Sequence, residues 1–381
     1  MNRSPKSLFS RAWHAFDGLA GDTLWSGAHD FLALATALTS FQLLQRALEL
    51  EEYGAYIGLY GLIGALGALS MSGVGLALLQ RLMGARDEPN SSLRSFLSLC
   101  LLVGAIMVLI VSAVGVATLR LSLGEILLLS LAELLAVAIV WIAAIAVQAS
   151  SGYPASARVR MGIVGVRLVT LLVLQFTGNL TIANLGAGFL VGFLIYGIYL
   201  LFVHLPRHGY AVSFGRPTLL AVRSSALFSI PMGASKMQTD GDKWFLNVFR
   251  FEADAGLYGA AYRVVQMGTL PLLALDSAAF QRFLPQGEGE PGLHWRRAKR
   301  LASLVTVASI ALATVLYAAL PLLDVLFTED YKEAIDIVPW LLLLIPLIAV
   351  SSTPLNGLLG LGQADKRMYV YLSSAFLSVV I

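Results

Sequence analysis

The sequence predicts an all-α protein, a polytopic transmembrane helix bundle, from its composition and its long apolar segments. Of 381 residues, 57% are hydrophobic and 13% are charged, whereas soluble globular chains carry about 25% charged residues. Apolar runs such as 97–119 and 301–323 are long enough to cross about 30 Å of hydrocarbon as helices. Lipid is therefore the predicted solvent for most of the chain.

Six helices are predicted in the first half of the chain, where apolar runs end at charged residues, Gly or Pro. Their ranges are 24–46, 54–80, 93–118, 123–148, 158–177 and 180–203. The preceding segment, 1–23, carries Arg3, Lys6 and Arg11 but lacks a short apolar segment followed by a cleavage site. We therefore expect a cytoplasmic N-terminal segment and not a cleaved signal peptide.

Five more helices are predicted after a linker at 205–217. Their ranges are 218–248, 255–283, 299–326, 334–361 and 368 onward. The last of these has only 14 residues, 368–381, before the sequence stops without a polar flank. We expect the natural chain to continue for at least one more helix.

Basic residues are concentrated in alternate loops, which predicts the orientation. The N-terminus and the loops after the even-numbered helices hold 18 of the 26 Lys and Arg residues. The opposite loops are acidic, as at 49–52 and 329–336. By the positive-inside rule the N-terminus and the basic loops are cytoplasmic, and all eleven predicted spans fit this one orientation.

An internal repeat divides the predicted bundle. The segment Glu52-Tyr-Gly-Ala-Tyr56-Ile-Gly-Leu-Tyr60 aligns with Asp254-Ala-Gly-Leu-Tyr258-Gly-Ala-Ala-Tyr262 at an offset of 202. A weaker match pairs 148–152 with 358–362 at an offset of 210. Units of six helices share one orientation and are related by an axis along the membrane normal. We predict two six-helix lobes around a central cleft, an N-lobe at 24–204 and an incomplete C-lobe at 218–381.

Helix seven carries the densest cluster of charge inside a predicted span. A charge at the centre of a membrane helix costs about 2.5 to 3.5 kcal/mol on insertion scales, so each one calls for a reason. Lys236, Asp240 and Lys243 fall at i, i+4 and i+7, on one helix face. One interpretation is that the lysines bind an anionic substrate group while Asp240 or Asp242 couples transport to a cation. The alternative is a neutralised Lys236/Asp240 pair that only fixes packing.

Polar residues of helices one, five and eight are further candidates for the cleft. Arg263 in helix eight and Arg167 in helix five suit phosphate binding, because guanidinium groups bind phosphate through paired hydrogen bonds; structural ion pairs are the alternative. Asp30, beside His29 in helix one, either takes part in a proton relay or begins the helix at the membrane interface. Gln42 and Gln45 in the same helix are predicted to face the cleft, since helix one corresponds to helix seven in the repeat.

Two further patterns and one buried acid have structural explanations that require no substrate. Glycines of helix two form a ridge of small residues that lets another helix approach closely, at positions Gly58, Gly61, Gly64 and Gly67. The tyrosine pairs of helices two and eight fit an aromatic belt at the outer interface, with sugar stacking as the alternative. Glu133 in helix four is a further buried acid, and partner-neutralised packing is its default interpretation.

Several short segments resemble one known family. They are the Glu52-Tyr-Gly-Ala-Tyr56 start of helix two, Asp242-Lys243, Gly256-Leu-Tyr258 to Ala261-Tyr262-Arg263 with Pro271, and the turn from Phe327 to Tyr331. Together they are similar to the Wzx-like polysaccharide flippases, which translocate O-antigen and capsule repeat units and belong to the multidrug/oligosaccharidyl-lipid/polysaccharide exporter superfamily. Members have twelve or fourteen helices, so this chain departs from the family by ending within its eleventh.

The resemblance implies a multi-pass transporter of a bacterial or archaeal cytoplasmic membrane that is not an enzyme. It would move a polyprenyl-pyrophosphate-linked saccharide during lipopolysaccharide or capsule biosynthesis, coupled to protons or sodium, beside membrane lipids and polysaccharide polymerase machinery. Substrate binding would fall to Lys236, Lys243, Arg263 and Arg167, and ion coupling to Asp240, Asp242 and Asp30. The alternatives are an ion-coupled multidrug efflux carrier, which for cationic drugs would need an acidic cleft, and a membrane-embedded glycosyltransferase.

The sequence also indicates several absences. There is no Gly-x-x-x-x-Gly-Lys-Ser/Thr phosphate loop, and the five histidines and single cysteine have no metal-site spacing. We therefore expect no cofactor, no metal and no nucleic acid partner. The outer loops are too short for the catalytic loop of a glycosyltransferase.

Overall fold

The computed structural model describes residues 28–29, 31–84, 88–283 and 291–351, with isolated helical positions at 366, 369, 370 and 373. Three sequence predictions fall outside these residues: the segment 1–23, Asp30, and almost all of the eleventh helix. The second, weaker match of the repeat lies there as well, because 358–362 is not described.

The described ranges form ten long helices, and their order is the predicted one. The first helix, α1, covers residues 31–47. The others are α2 Leu50–Met83, α3 Pro89–Thr118, α4 Leu123–Ser151, α5 Tyr153–Phe176, α6 Ile182–Arg207, α7 Leu219–Val248, α8 Glu252–Phe283, α9 Pro291–Ala318 and α10 Glu329–Ser351. Short π-helical turns interrupt α2 at Ala68–Ser72, α4 at Ala132–Ala136 and α6 at Leu200–His204.

Local sequence signals explain where several helices begin. Ser122 and Glu125 form a capping box at the start of α4, in which each side chain binds the other residue's backbone N–H. Thr181 and Thr218 accept backbone N–H groups in the same way at the starts of α6 and α7. Gly152, at φ +82°, makes the sharp turn between α4 and α5 that other residues would adopt only with strain.

Six helices in the described part of the chain are long and apolar enough to cross a membrane, namely α2, α3, α4, α5, α6 and α10. A seventh is counted if α9 and the segment Leu320–Leu326, bent by 49°, form one span. Eleven spans were predicted. The difference arises partly because α7 carries Lys236, Asp240, Asp242 and Lys243, which lower its mean hydropathy although it is 30 residues long.

The predicted linker begins within the last turn of α6, and its residues 210–217 have no regular secondary structure and pack against α3. The backbone N–H groups of Ala211, Gly215 and Thr218 donate to the side chains of Asn90, Ser98 and Ser95, over 2.9 to 3.0 Å. These bonds satisfy backbone donors that a loop must otherwise expose to water. The linker therefore holds the start of α7 beside the first half of α3.

α7 packs closely along α2, and glycines of α2 make this possible. A Cβ at Gly61 would overlap the Asp240 carbonyl oxygen, and one at Gly73 would overlap the backbone of Ser229. A Cβ at Gly58 would overlap the side chain of Asn247. The small-residue ridge predicted in α2 is thus a helix-packing face, with α7 as its partner for Gly58, Gly61 and Gly64; Gly67 lies instead against Met71 and Leu134.

α2 and α8 cross at their first turns through a reciprocal contact. Gly54 lies against the Glu252 carbonyl, and a Cβ at Gly256 would lie 2.6 Å from the Leu50 carbonyl oxygen. Both Gly54/Gly256 and Leu50/Glu252 are separated by 202 positions, the offset of the sequence repeat. Two units related by a two-fold axis produce such a contact. The division into two lobes remains a prediction.

α1 is fixed at its far end by an aromatic cluster and by two glutamines. Phe41 packs against Tyr53, Phe327 and Tyr331 with ring centroids 5.4 to 6.1 Å apart. Gln42 and Gln45 donate to the Leu326 carbonyl over 2.6 and 2.8 Å. They do so because a carbonyl at the end of a short helix lacks an intrahelical donor. Gln42 also lines a small cavity with Arg263, and the prediction that both glutamines face the central cleft stays a prediction.

Candidate functional site

A cavity of about 410 Å³ lies among α2, α4, α5, α7 and α8. Its described lining contains many polar and charged side chains from the middle of these helices, where ionisable residues are rare in membrane proteins. The lining side chains that carry charge or hydrogen-bonding groups are Tyr60, Glu133, Arg167, Lys236, Asp240, Lys243, Tyr262, Arg263 and Gln266. Ile57, Ile63, Met71 and three glycines complete it.

All four cations predicted to bind substrate line this one cavity. Arg167, Lys236, Lys243 and Arg263 come from three helices, while the carboxylates among the described lining residues are Glu133 and Asp240. This part of the lining therefore carries two more positive than negative charges. Whether these cations bind a substrate remains a prediction.

On α7, Asp240 lies between the two lysines. Its carboxylate oxygens are 3.3 Å from Lys236 Nζ and 3.1 Å from Lys243 Nζ. Lys243 has a side chain only 9% exposed, 3.3 Å from Asp242 and 4.1 Å from the centroid of the Tyr262 ring. The predicted single helix face is confirmed, and the neutralised Lys236/Asp240 pair offered as the alternative is present.

Asp242 and Asp30 do not join Asp240 in the described lining. Asp242 accepts hydrogen bonds from the Tyr258 hydroxyl and from Lys243 Nζ. Asp30 lies outside the described residues. Of the three predicted ion-coupling carboxylates, Asp240 is the one that the structure brings to the cavity.

Arg167 is held by Glu133 from the neighbouring helix. Its Nη2 donates to Glu133 over 2.6 Å, and Tyr60 donates to the other carboxylate oxygen over 2.9 Å. The side chain of Glu133 is 6% exposed. This ion pair is the structural alternative weighed for Arg167, and it neutralises one buried carboxylate.

Arg263 differs from the other three cations. Its Nη1 donates to Gln266 over 2.9 Å, and its buried Nε has no hydrogen-bond partner of ordinary geometry, although the Tyr53 hydroxyl lies close to the guanidinium. It forms no ion pair with any carboxylate that the structure describes. The predicted alternative of a salt bridge to an acid of α7 is therefore wrong. Because a buried guanidinium without a counter-ion is costly, this position is suited to an anion supplied from outside the protein.

Glu133 is neutralised by Arg167, as its default interpretation predicted, whereas Tyr60 and Tyr262 line the cavity and not the outer interface. Tyr56 is 6% exposed and Tyr60 lines the cavity, so their assignment to an interfacial belt is wrong. Tyr60 points into the bundle because its hydroxyl donates to the buried Glu133 carboxylate. The repeat was the available signal, since Tyr60 and Tyr262 are equivalent positions and both reach the cavity.

Above the cavity, on the predicted outer side, ion pairs join three helix ends. Arg120, between α3 and α4, lies 3.1 Å from Glu51 of α2 and 3.0 Å from Glu252 of α8. Glu252 is 3% exposed. Trp244 of α7 also donates to Thr118 over 3.1 Å. We call Arg120, Glu51 and Glu252 the outer latch.

No group of three or more His, Cys, Asp or Glu side chains suited to a metal ion occurs among the residues described. Among the described cavity residues, Asp240 is paired with Lys236 and Lys243, and Glu133 is paired with Arg167.

The long apolar helices and their packing define a polytopic helical membrane fold. Solved structures of multidrug resistance MATE transporters of the MOP superfamily share this fold. An inward-facing one is 14% identical, with a TM-score of 0.66, over 94% of this chain and 88% of that one. An outward-facing one is 12% identical, with a TM-score of 0.66, over 93% and 84%.

A third solved structure is a MOP superfamily transporter from Pyrococcus furiosus, described as having a binding pocket of reverse polarity that suggests a different function. It is 10% identical, with a TM-score of 0.66, over 93% of this chain and 84% of that one. No protein-family model matches the sequence, and no curated protein matches it. Identities this low establish the fold and not the substrate, so the flippase family remains a prediction.

Proposed function

We propose that the chain is an exporter that carries drug-sized organic anions through the central cavity by alternating access. The observation that carries this proposal is the cavity's excess of two positive charges among its described lining residues. Its volume of about 410 Å³ falls within the range of about 300 to 1,000 Å³ of small-molecule sites. A cationic drug would meet net repulsion in the same place.

Arg263 is the proposed anchor for the anion. Among the four cations of the cavity, it alone combines a buried Nε without a partner with the lack of a described counter-ion. Lys236, with 55% of its side chain exposed, supplies a second and more mobile cation. Because these groups lie in a medium of low effective dielectric constant, their attraction for a carboxylate or phosphate exceeds its value in water.

Asp240 is the proposed coupling group. An arriving anion competes with Asp240 for Lys236 and Lys243, which are within 3.3 Å of its carboxylate. Once displaced, the carboxylate can take up a proton or a sodium ion. Substrate binding and cation binding are then linked, and the linkage is reciprocal.

The similarity to multidrug transporters supports this efflux function over the flipping of a lipid-linked saccharide. The saccharide stays as the second candidate because a pyrophosphate would satisfy the same cations. The rings of Tyr60 and Tyr262, both in the lining, also offer faces on which a sugar could stack. Only the headgroup of such a lipid would occupy the cavity, with the polyprenyl chain outside it.

Transport in proteoliposomes tests the proposal. The purified chain is reconstituted, and efflux of the anionic dye carboxyfluorescein is compared with that of the cationic dye rhodamine 6G under proton and sodium gradients. We expect carboxyfluorescein to be transported and Arg263→Gln to reduce its rate at least about tenfold, the value of one charged hydrogen bond. Lys332→Gln, whose exposed lysine pairs with Glu329 far from the cavity, is the matched control.

The outcomes separate the candidates. Transport of rhodamine 6G alone, or equal effects of the two variants, would contradict the anion proposal. Transport of neither dye, together with movement of a short-chain polyprenyl-pyrophosphate saccharide that Arg263→Gln abolishes, would favour the flippase.

A further inference from the structure

A second cavity lies between α5 and α6, beside the π-helical turn Leu200–His204. Its volume is about 410 Å³, and it shares no described lining residue with the central cavity. A π-helical turn inserts one residue into the helix and often marks a functional position. Here it lies where the helix carries His204 to the cavity, on the side predicted to be cytoplasmic.

Cationic and imidazole groups form one edge of this second cavity. Arg158, His204 and His208 line it, and no described lining residue is an Asp or Glu. The His204 and His208 rings are 4.7 Å apart, and His208 Nδ1 is hydrogen-bonded to Ser151 over 2.9 Å. Arg207 also acts electrostatically on His204. This edge therefore presents positive charge and N–H donors together.

Beside the histidines the lining of the second cavity is aromatic, since the Tyr199 ring lies 6.3 Å from the His204 ring, and exposed apolar side chains continue along α6. Tyr196 and Tyr199 form this part of the lining with stacked rings 6.4 Å apart. On the same helix Ile195 is 65% exposed and Phe202 is 62% exposed. In a membrane such side chains contact acyl chains, while tyrosines lie at headgroup depth.

We propose that the second cavity binds the headgroup of an acidic phospholipid from the leaflet predicted to be cytoplasmic. Arg158 donates to the phosphate, the two histidines donate beside it, and the acyl chains lie along the exposed face of α6. Basic pockets between helices on the cytoplasmic side bind anionic headgroups in this manner. A guanidinium matches the paired oxygens of a phosphate in shape as well as charge.

Native mass spectrometry of the full, delipidated chain in mild detergent tests the site. The probes are phosphatidylglycerol, zwitterionic phosphatidylcholine and inorganic phosphate. We expect several-fold greater retention of phosphatidylglycerol than of phosphatidylcholine. Arg158→Gln combined with His204→Gln is expected to lower phosphatidylglycerol binding about tenfold, as loss of a charged phosphate contact predicts.

Arg223→Gln, at an exposed basic position near the start of α7, is the matched control and should leave lipid binding unchanged. Equal retention of the two lipids, an equal loss in the control, or phosphate binding as strong as that of phosphatidylglycerol would each overturn the proposal. If the double variant aggregates, the single Arg158→Gln variant decides, because Arg158 is exposed. The assay needs no transport, so its result is independent of the exporter proposal.

Discussion

Lys243 forms a largely buried ion pair with a neighbour three residues away. Its side chain is 9% exposed and 3.1 Å from Asp240, and removing one partner of a buried pair costs on the order of 3 kcal/mol. We expect Asp240→Asn and Lys243→Met each to lower the thermal stability of the purified chain. The double variant should lose clearly less than the sum of the two, as a double-mutant cycle measures. Additive losses would show that the pair is not coupled.

The sequence could predict the α7 cluster because its members share one helix, where spacing alone decides which side chains meet. It could not predict Arg167 with Glu133, which lie 34 positions apart on two helices. Nor could it separate Arg263 from the other cations. All four are basic residues inside apolar runs, and the lack of a counter-ion becomes visible only when the neighbouring helices are in place.

At the scale of elements, the contact between α2 and α7 depends on Gly61. A Cβ there would overlap the Asp240 carbonyl oxygen, whereas a Cβ at Gly64 would lie 3.7 Å from Asp240 Oδ2, an ordinary contact distance. We expect Gly61→Ala to destabilise the chain by about 1 to 3 kcal/mol, as overpacking does. Gly64→Ala is the matched control and should be neutral or stabilising, since Ala favours helix by about 1 kcal/mol. Equal thermal shifts would contradict this.

A second prediction at the scale of elements concerns the outer latch. Arg120→Gln removes the cation that joins Glu51 and Glu252, so the outer ends of α2 and α8 should separate more readily. A cysteine placed at Gln266 in a Cys100→Ser background reports access to the cavity. We expect a membrane-impermeant thiol reagent to label it several-fold faster from outside in the Arg120→Gln variant. An unchanged rate would assign the latch to packing alone.

Helix positions were predictable because the bilayer imposes a length on each apolar run, and polar or breaking residues bound it. The second to tenth predicted helices each begin within eight residues of the corresponding described helix. The first was predicted to begin at residue 24, before the described part of α1. Gln42 and Gln45 show where this reasoning stops. Their partner is the Leu326 carbonyl, freed by a helix end more than 280 positions away, and no periodicity in α1 reveals it.

At the scale of the whole molecule, the repeat and the fold are consistent. An offset of 202 positions, noted from four matching residues, reappears as the reciprocal contact of Gly54 with Glu252 and of Gly256 with Leu50. The fold itself was predicted by resemblance and is shared with the MATE transporters. The substrate was not predictable at this level, because one architecture accommodates cavities of opposite polarity.

The excess positive charge of the described cavity lining would also give the proposed carrier an electrical asymmetry. Moving one elementary charge across a potential of 100 mV changes the free energy by about 2.3 kcal/mol when it crosses the whole field. In a cell that is negative inside, an empty cavity with uncompensated positive charge would be drawn to face inward, whereas a bound anion would reduce the bias. Voltage steps on reconstituted membranes without substrate should therefore displace charge, and Arg263→Gln should displace less.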